Sequence, residues 1–332
     1  MSLRTKPRAA AAHTRRLLSP ARSYVDWLSS RRGGADLSVF HDYVPPPSGG
    51  GNQFIRALSR ELQRRGLVLE TNRISGDTRT CLFNSFNFDT ARLRRFARED
   101  VRMVHRVDGP IGVYRAFDDG TDRRIAELNR TFADATVLQS RYSLEKHVEL
   151  GLDLRDPVVI PNAPDPEFFY LPAMRQEPAG RPLRVIATSW SDSPRKGADV
   201  LERLDRQLEE DLDVIFAGRT NAQFERIRVV GPLPSGELAD LLRSRDVYLA
   251  ASRDDPCSNA LLEGLACGLP AAYLRSGGHP ELVGDGGIGF DDPEELPGVL
   301  QRLRNEHAAR RAAIRVPSLA EVTDRYLEVL RG

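Results

Sequence analysis

Cysteine is scarce, with three in 332 residues, and Cys81, Cys257 and Cys267 show neither a Cys-x-x-Cys spacing nor a neighbouring histidine pair. A disulfide framework and the common zinc sites are thereby excluded, and a reducing cytoplasm is the plain inference. Neither charge dominates: 48 Lys and Arg stand against 47 Asp and Glu, a formal net charge of +1, which argues against a general nucleic-acid binder. No apolar run approaches the roughly 20 residues that span a bilayer. The first 30 residues also lack the uninterrupted apolar stretch of a secretory signal. The common nucleotide fingerprints are missing too. Gly49-Gly50-Gly51 is followed by Phe54 where Gly-x-Gly-x-x-Gly needs its third glycine, and no Lys-Ser/Thr follows as a P-loop requires.

What is present fits a soluble enzyme of about two domains, each large enough for its own core. Apolar runs of strand length alternate with longer segments of helical period, which predicts an α/β fold of parallel sheets covered by helices on both faces. Strand candidates from Leu37–Tyr43 to Val158–Pro161 make a first doubly wound, Rossmann-like domain over 36–165. The proline-bearing stretch 166–182 has no clear period and reads as a linker. The pattern restarts over 183–316, with strand candidates from Arg184–Ser189 to Ala271–Leu274. In the closing 317–332, the amphipathic segment Leu319–Leu330 is a candidate helix returning to the first domain. The leader 1–35 is basic, with eight Lys or Arg up to Gly34 against Asp26 alone.

Ligands of open α/β sheets bind beyond the C-terminal strand ends, so the loops that follow strands should carry the chemistry. The first is the glycine loop, where Gly50 and Gly51 permit close backbone approach and a helix start supplies donors for an anion; a tight turn is the plainer account. His105 and Asp108 close an apolar strand in Val104-His105-Arg106-Val107-Asp108. The imidazole suits a sugar hydroxyl or positive charge near a reacting carbon, or else simply caps the sheet. Arg195 and Lys196 precede Gly197 at a helix start, where paired cations run against dipole preference and an anionic ligand explains them; ordinary surface exposure is the alternative. In Asp254 to Pro270, Ser258 suits an N-cap, and Asn259, Ala260 and Leu261 form a first helical turn whose amides bind phosphate. Asp255 and Glu263 flank that turn. Glu263 lies among Leu261, Leu262 and Leu265 and needs a partner, a ribose diol or a structural arginine.

Together these segments resemble the family 4 (group 1) glycosyltransferases, which have the GT-B fold of two Rossmann-like domains facing across a cleft. Five segments carry the likeness in order: Gly49-Gly50-Gly51, Val104-His105, Pro161-Asn162-Ala163-Pro164-Asp165, Arg195-Lys196-Gly197, and Asp255 through Glu263 with the glycine turns after it. The resemblance implies retaining, metal-independent transfer of a sugar from a nucleotide diphosphate donor, with no cofactor, to a glycan, lipid-linked or other hydroxyl acceptor. By that likeness Lys196 and Arg195 neutralise the diphosphate, the amides of Asn259 to Leu261 hold it, Glu263 takes the ribose, Asp255 holds the donor sugar, and His105 lies beside it. The first domain receives the acceptor. Two departures stand out. The family usually has glutamate where this chain has Asp255, and it places an arginine where this chain reads Ser189-Trp190-Ser191. Asp211-Leu212-Asp213 resembles a metal motif of other sugar transferases, but it precedes its strand and reads as a solvated turn.

A nucleotide-sugar epimerase or hydrolase of the same fold, or a catalytically silent partner subunit, are the rival readings. The expected place is the cytoplasm, in bacterial polysaccharide or glycoconjugate synthesis. Leu17, Leu18, Tyr24, Val25, Trp27 and Leu28 among the arginines of the leader suit peripheral contact with an anionic inner membrane face; a loosely docked tail interrupted by Pro20 suits them equally.

Overall fold

The computed structural model describes residues 34–45, 48–173 and 177–332. All but the last two residues of the basic leader therefore lie outside the described residues, as do Pro46, Pro47 and three linker residues. Two parallel six-stranded sheets organise the chain. The first runs β2-β1-β3-β4-β5-β6, from β1 (Leu37–Phe40), β2 (Leu69–Thr71), β3 (Thr80–Asn84), β4 (Arg102–Val107), β5 (Ala135–Leu138) and β6 (Pro157–Val159). Its helices are α1 (Gly50–Arg64), α2 (Thr90–Phe96), α3 (Ile111–Arg115), α4 (Thr121–Phe132) and α5 (Arg141–Glu149). The inner strands β1, β4 and β5 are buried nearly throughout, as expected for a parallel sheet covered on both faces, while the edge strands β2 and β6 are only partly buried.

The second sheet runs β12-β11-β10-β7-β8-β9, from β7 (Leu183–Ser189), β8 (Leu212–Gly218), β9 (Arg228–Val230), β10 (Val247–Ala250), β11 (Ala271–Leu274) and β12 (Gly287–Phe290). Around it lie α6 (Ala198–Arg206), α7 (Ser235–Arg243), α8 (Asn259–Ala266), α9 (His279–Val283), α10 (Leu296–Asn305) and α11 (His307–Ala313). A last helix, α12 (Leu319–Arg331), returns to the first domain. A capping box starts it: Ser318 Oγ accepts the Glu321 amide at 3.1 Å, and the Glu321 carboxylate accepts the Ser318 amide at 2.9 Å. Its apolar face then packs Leu319, Val322, Tyr326 and Leu330 against Leu37, Phe54, Leu58 and Leu82.

Strand β12 and the short helices α3, α9 and α11 were not expected from sequence. In β12, Gly287 and Gly289 break the apolar pattern that marks a strand; a Cβ at Gly287 would stand 2.2 Å from the Ala271 carbonyl oxygen, so glycine is what lets β12 lie against β11. Helix α3 is five residues long, too short to show a period. The linker is not loose: Phe169 belongs to the second domain's core, and Arg243 donates to the Phe168 carbonyl at 2.7 Å.

Candidate active site

Strand order reverses beside β1 and β3 in the first sheet and beside β7 and β10 in the second, which opens a crevice at the C-terminal strand ends of each. The two crevices join in one cavity of about 680 Å³ lined by both domains. Gly50, Gly51, Asp108, Arg195, Lys196, Asp255, Ser258, Asn259, Ala260 and Glu263 all line it.

The second-domain wall is set by the loops after β7 and β10. Pro194–Lys196 forms a single 3-10 turn that Gly197 closes with φ +81°, where a Cβ would lie 2.2 Å from the Ala251 carbonyl oxygen. That approach brings the cations onto the β10 loop. Lys196 Nζ donates to Asp255 Oδ2 at 2.8 Å, and Arg195 pairs with Asp254. Burial alone would raise the Asp255 pKa, but the charge of Lys196 beside it, helped by His279, holds it below the usual carboxylate range; Asp255 in turn raises Lys196. Ser258 caps α8 by accepting the Leu261 amide at 3.3 Å. The intrahelical ladder starts at Leu262, which donates to Ser258 O at 3.1 Å, so the Asn259 and Ala260 amides have no intrahelical acceptor. Glu263 stands one turn on, 9% exposed, and burial with the nearby charge of Asp165 pushes it up to about 8.

The first-domain wall meets this one closely. A Cβ on Gly50 would lie 2.6 Å from Cβ of Asn259, so the glycine loop sits directly on the start of α8. Behind it runs a buried polar chain from one domain to the other. Arg106 donates to Asn84 Oδ1 at 2.7 Å, to Asp108 Oδ1 at 3.0 Å and to Asn162 Oδ1 at 3.0 Å, and Asn162 donates to Asn259 Oδ1 at 3.0 Å. Gln139 also donates to Asp108 Oδ1, at 2.7 Å.

Two residues expected at the site lie elsewhere. His105 is fully buried and absent from the cavity wall. Its Nε2–H donates to the Ser85 carbonyl at 3.0 Å, Nδ1 accepts from Asn129 at 3.2 Å, and the ring stacks on Phe83 at 4.1 Å. Burial pushes its pKa down to about 3, so the imidazole is neutral and serves packing. Leu261 points into the core, and its amide is taken by Ser258. Sequence reasoning missed other neighbours. Trp190 lines the cavity under the guanidinium of Arg219, 4.4 Å from the ring centroid, and a Cβ on Gly49 would lie 3.2 Å from the indole. Glu281 of α9 accepts the amides of Arg141 and Tyr142 at 3.0 and 3.2 Å, capping α5 across the domain boundary, while Tyr142 Oη donates to Asp254 at 2.8 Å. Only tertiary structure brings these together. The Asp-x-Asp stretch lies at the other end of β8, where Arg304 pairs with Asp211 and Arg245 with Asp213.

Residues 184–306 match the family described as Glycosyl transferases group 1. That match covers most of the second domain and none of the first. A D-inositol 3-phosphate glycosyltransferase of Streptosporangium roseum is 37% identical over 90 residues, covering 26% of this chain and 21% of that protein. The phosphatidylinositol N-acetylglucosaminyltransferase GPI3 subunit of Saccharomyces cerevisiae is 28% identical over 147 residues, 38% of this chain and 32% of that one. The matches thus span between about a fifth and a third of these two relatives. Among solved structures, Anabaena HepE in complex with UDP and glucose aligns with a TM-score of 0.65 at 16% identity, covering 90% of this chain and 100% of that one. Sucrose-phosphate synthase from Thermosynechococcus elongatus aligns at 0.62 with 15% identity, over 89% and 94%. The chain therefore has the two-domain GT-B fold, with the matched second domain as one half and the glycine-loop domain as the other.

Proposed function

We propose that the chain is a retaining, metal-independent glycosyltransferase that moves a sugar from a nucleotide diphosphate sugar to a hydroxyl acceptor, glycan or lipid-linked, in the cytoplasm. One observation carries this reading: the Lys196–Asp255 pair, the amides at the start of α8 that have no intrahelical acceptor and the buried Glu263 share a single cavity between the domains. The amides of Asn259 and Ala260, with Lys196 and Arg195, are the groups to receive the diphosphate and to stabilise the charge that grows on it as the bond to the sugar breaks. Glu263 accepts the ribose hydroxyls, as partners for a carboxyl group with no hydrogen bond among the described residues. Asp255 takes a hydroxyl of the donor sugar.

The acceptor enters along the first-domain wall. Arg106 and Gln139 both donate to Asp108 Oδ1, so Oδ2 is the atom left to receive an acceptor hydroxyl. Retention then means attack on the face from which the diphosphate departs, with the hydroxyl proton passing to the departing phosphate oxygen or to Asp108. HepE, crystallised with UDP and glucose, and the inositol phosphate glycosyltransferase support the ligand class.

The test is incubation with UDP-, GDP- and ADP-sugars, with and without chelator, following nucleoside diphosphate release and the anomeric configuration of the product. Turnover indifferent to chelator with retained configuration is expected. Failure to release nucleoside diphosphate from any donor overturns the activity, and an inverted product overturns the stereochemistry.

A further inference from the structure

Among the described residues four cations line the cavity, and three of them are already matched: Arg195 by Asp254, Lys196 by Asp255 at 2.8 Å, and Arg253 by Asp199 at 2.7 Å. The fourth, Arg115, has no carboxylate partner among the described residues. A diphosphate arriving at the second-domain wall meets cations whose charge is largely spent. Its two negative charges need a further donor.

Arg115 is held where it can be that donor. It ends α3, whose first turn is fixed to its own domain by Asp122, the carboxylate accepting the Ile111 and Gly112 amides at 2.7 and 2.8 Å. The middle of the same helix touches the opposite domain: the Val113 carbonyl accepts from Arg195 at 3.2 Å. Tyr114 and Arg115 follow, both lining the cavity, with the guanidinium 5.7 Å from the Tyr114 ring centroid. Ala116 ends the helix in the left-handed region at φ +54° and directs the chain away. A five-residue helix thus bridges the two walls and presents an unmatched guanidinium at the bridge.

We infer that Arg115 binds the donor diphosphate from the first-domain side. This rests on the nucleotide-sugar reading and adds a first-domain residue to a set otherwise drawn from the second. The planar guanidinium offers paired N–H donors that match phosphate oxygens. Because α3 also carries the carbonyl that holds Arg195, a diphosphate bound to Arg115 would tie the glycine-loop domain to the lysine turn.

The experiment measures binding by the full chain to uridine, UMP and UDP, and to the guanosine and adenosine series, by calorimetry, for the parent, Arg115→Ala and Arg115→Lys. For whichever diphosphate the parent binds, Arg115→Ala should weaken binding about ten-fold, the loss of one charge-assisted contact. The nucleoside should bind unchanged, Arg115→Lys should fall between, and the salt dependence should be shallower in Arg115→Ala. Equal diphosphate affinity in parent and Arg115→Ala overturns the assignment alone. An equal loss for nucleoside and diphosphate marks a structural effect and overturns it too. A parent that binds none of the diphosphates removes the nucleotide-sugar reading itself, and this inference with it.

Discussion

Replacing Glu263 by glutamine should stabilise the protein while weakening nucleotide binding, and the size of the first effect follows from the site. The carboxyl is 9% exposed and packed among leucines on α8; burial and the charge of Asp165 raise its pKa from 4.5 to about 8. The unfolded chain releases this proton near 4.5, whereas the folded chain keeps it until about 8. The contribution to stability is therefore complete below 4.5 and is lost as pH rises, levelling off above about 8. At pH 7 the loss amounts to about 3 kcal/mol, taking about 1.4 kcal/mol per pH unit over the interval from 4.5. Glutamine has no proton to lose. Glu263→Gln should melt with the parent near about pH 4 and roughly 5 to 10 °C above it at neutral pH. Differential scanning calorimetry over that range reads the gap directly. A variant that melts below the parent at pH 7, or a gap that does not change with pH, would refute the reasoning. Binding of the diphosphate identified by calorimetry should be weaker in the same variant.

Lys196→Ala leaves Asp255 in a largely buried site without its cation, so a loss of about 2 kcal/mol is expected, and Asp255→Asn in the same chain should recover part of it. Urea melts of the four members of that cycle test it; strictly additive losses would show that the pair is not coupled. His105→Ala should lower the melting temperature through the cavity it leaves, at about 3 kcal/mol, while kcat below the melting range stays within about two-fold of the parent. A large fall in kcat at full foldedness would return His105 to the reaction. Because its pKa is lowered to about 3, the unfolded chain takes up a proton between 6.5 and 3 that the folded chain refuses. Stability should fall as pH drops through that window, and less so in His105→Phe.

The GT-B architecture was legible because its signals are local: apolar runs of strand length, the glycine loop, the Ser258 cap and the Arg195-Lys196-Gly197 turn each announce themselves within a few residues. His105 was misread for a reason equally physical. Side chains alternate across a strand, so Arg106 and Asp108 share the face that carries Phe54 and Asn162, while His105 faces Phe83 and Asn129. A strand-end motif does not say which of its faces meets the ligand. The chain of side chains Asn84, Arg106, Asn162 and Asn259, and the cap that Glu281 places on α5, join positions far apart in sequence, and no local pattern records them. Strand β12 was hidden by the same glycines that make its packing feasible.

The return of α12 to the first domain also governs the order in which the protein can be made. Leu319, Val322, Tyr326 and Leu330 complete a core whose other half is Leu37, Phe54 and Leu82. The entire second domain lies between them in the chain. A ribosome adding about 5 to 20 residues per second needs on the order of ten to thirty seconds to pass from β6 to α12. During that interval the glycine-loop domain has its sheet but an uncovered apolar face, whereas the second domain, contiguous in sequence, can close as it emerges. The domain synthesised first is thus the last to be finished, and its face is what a chaperone on the nascent chain would meet.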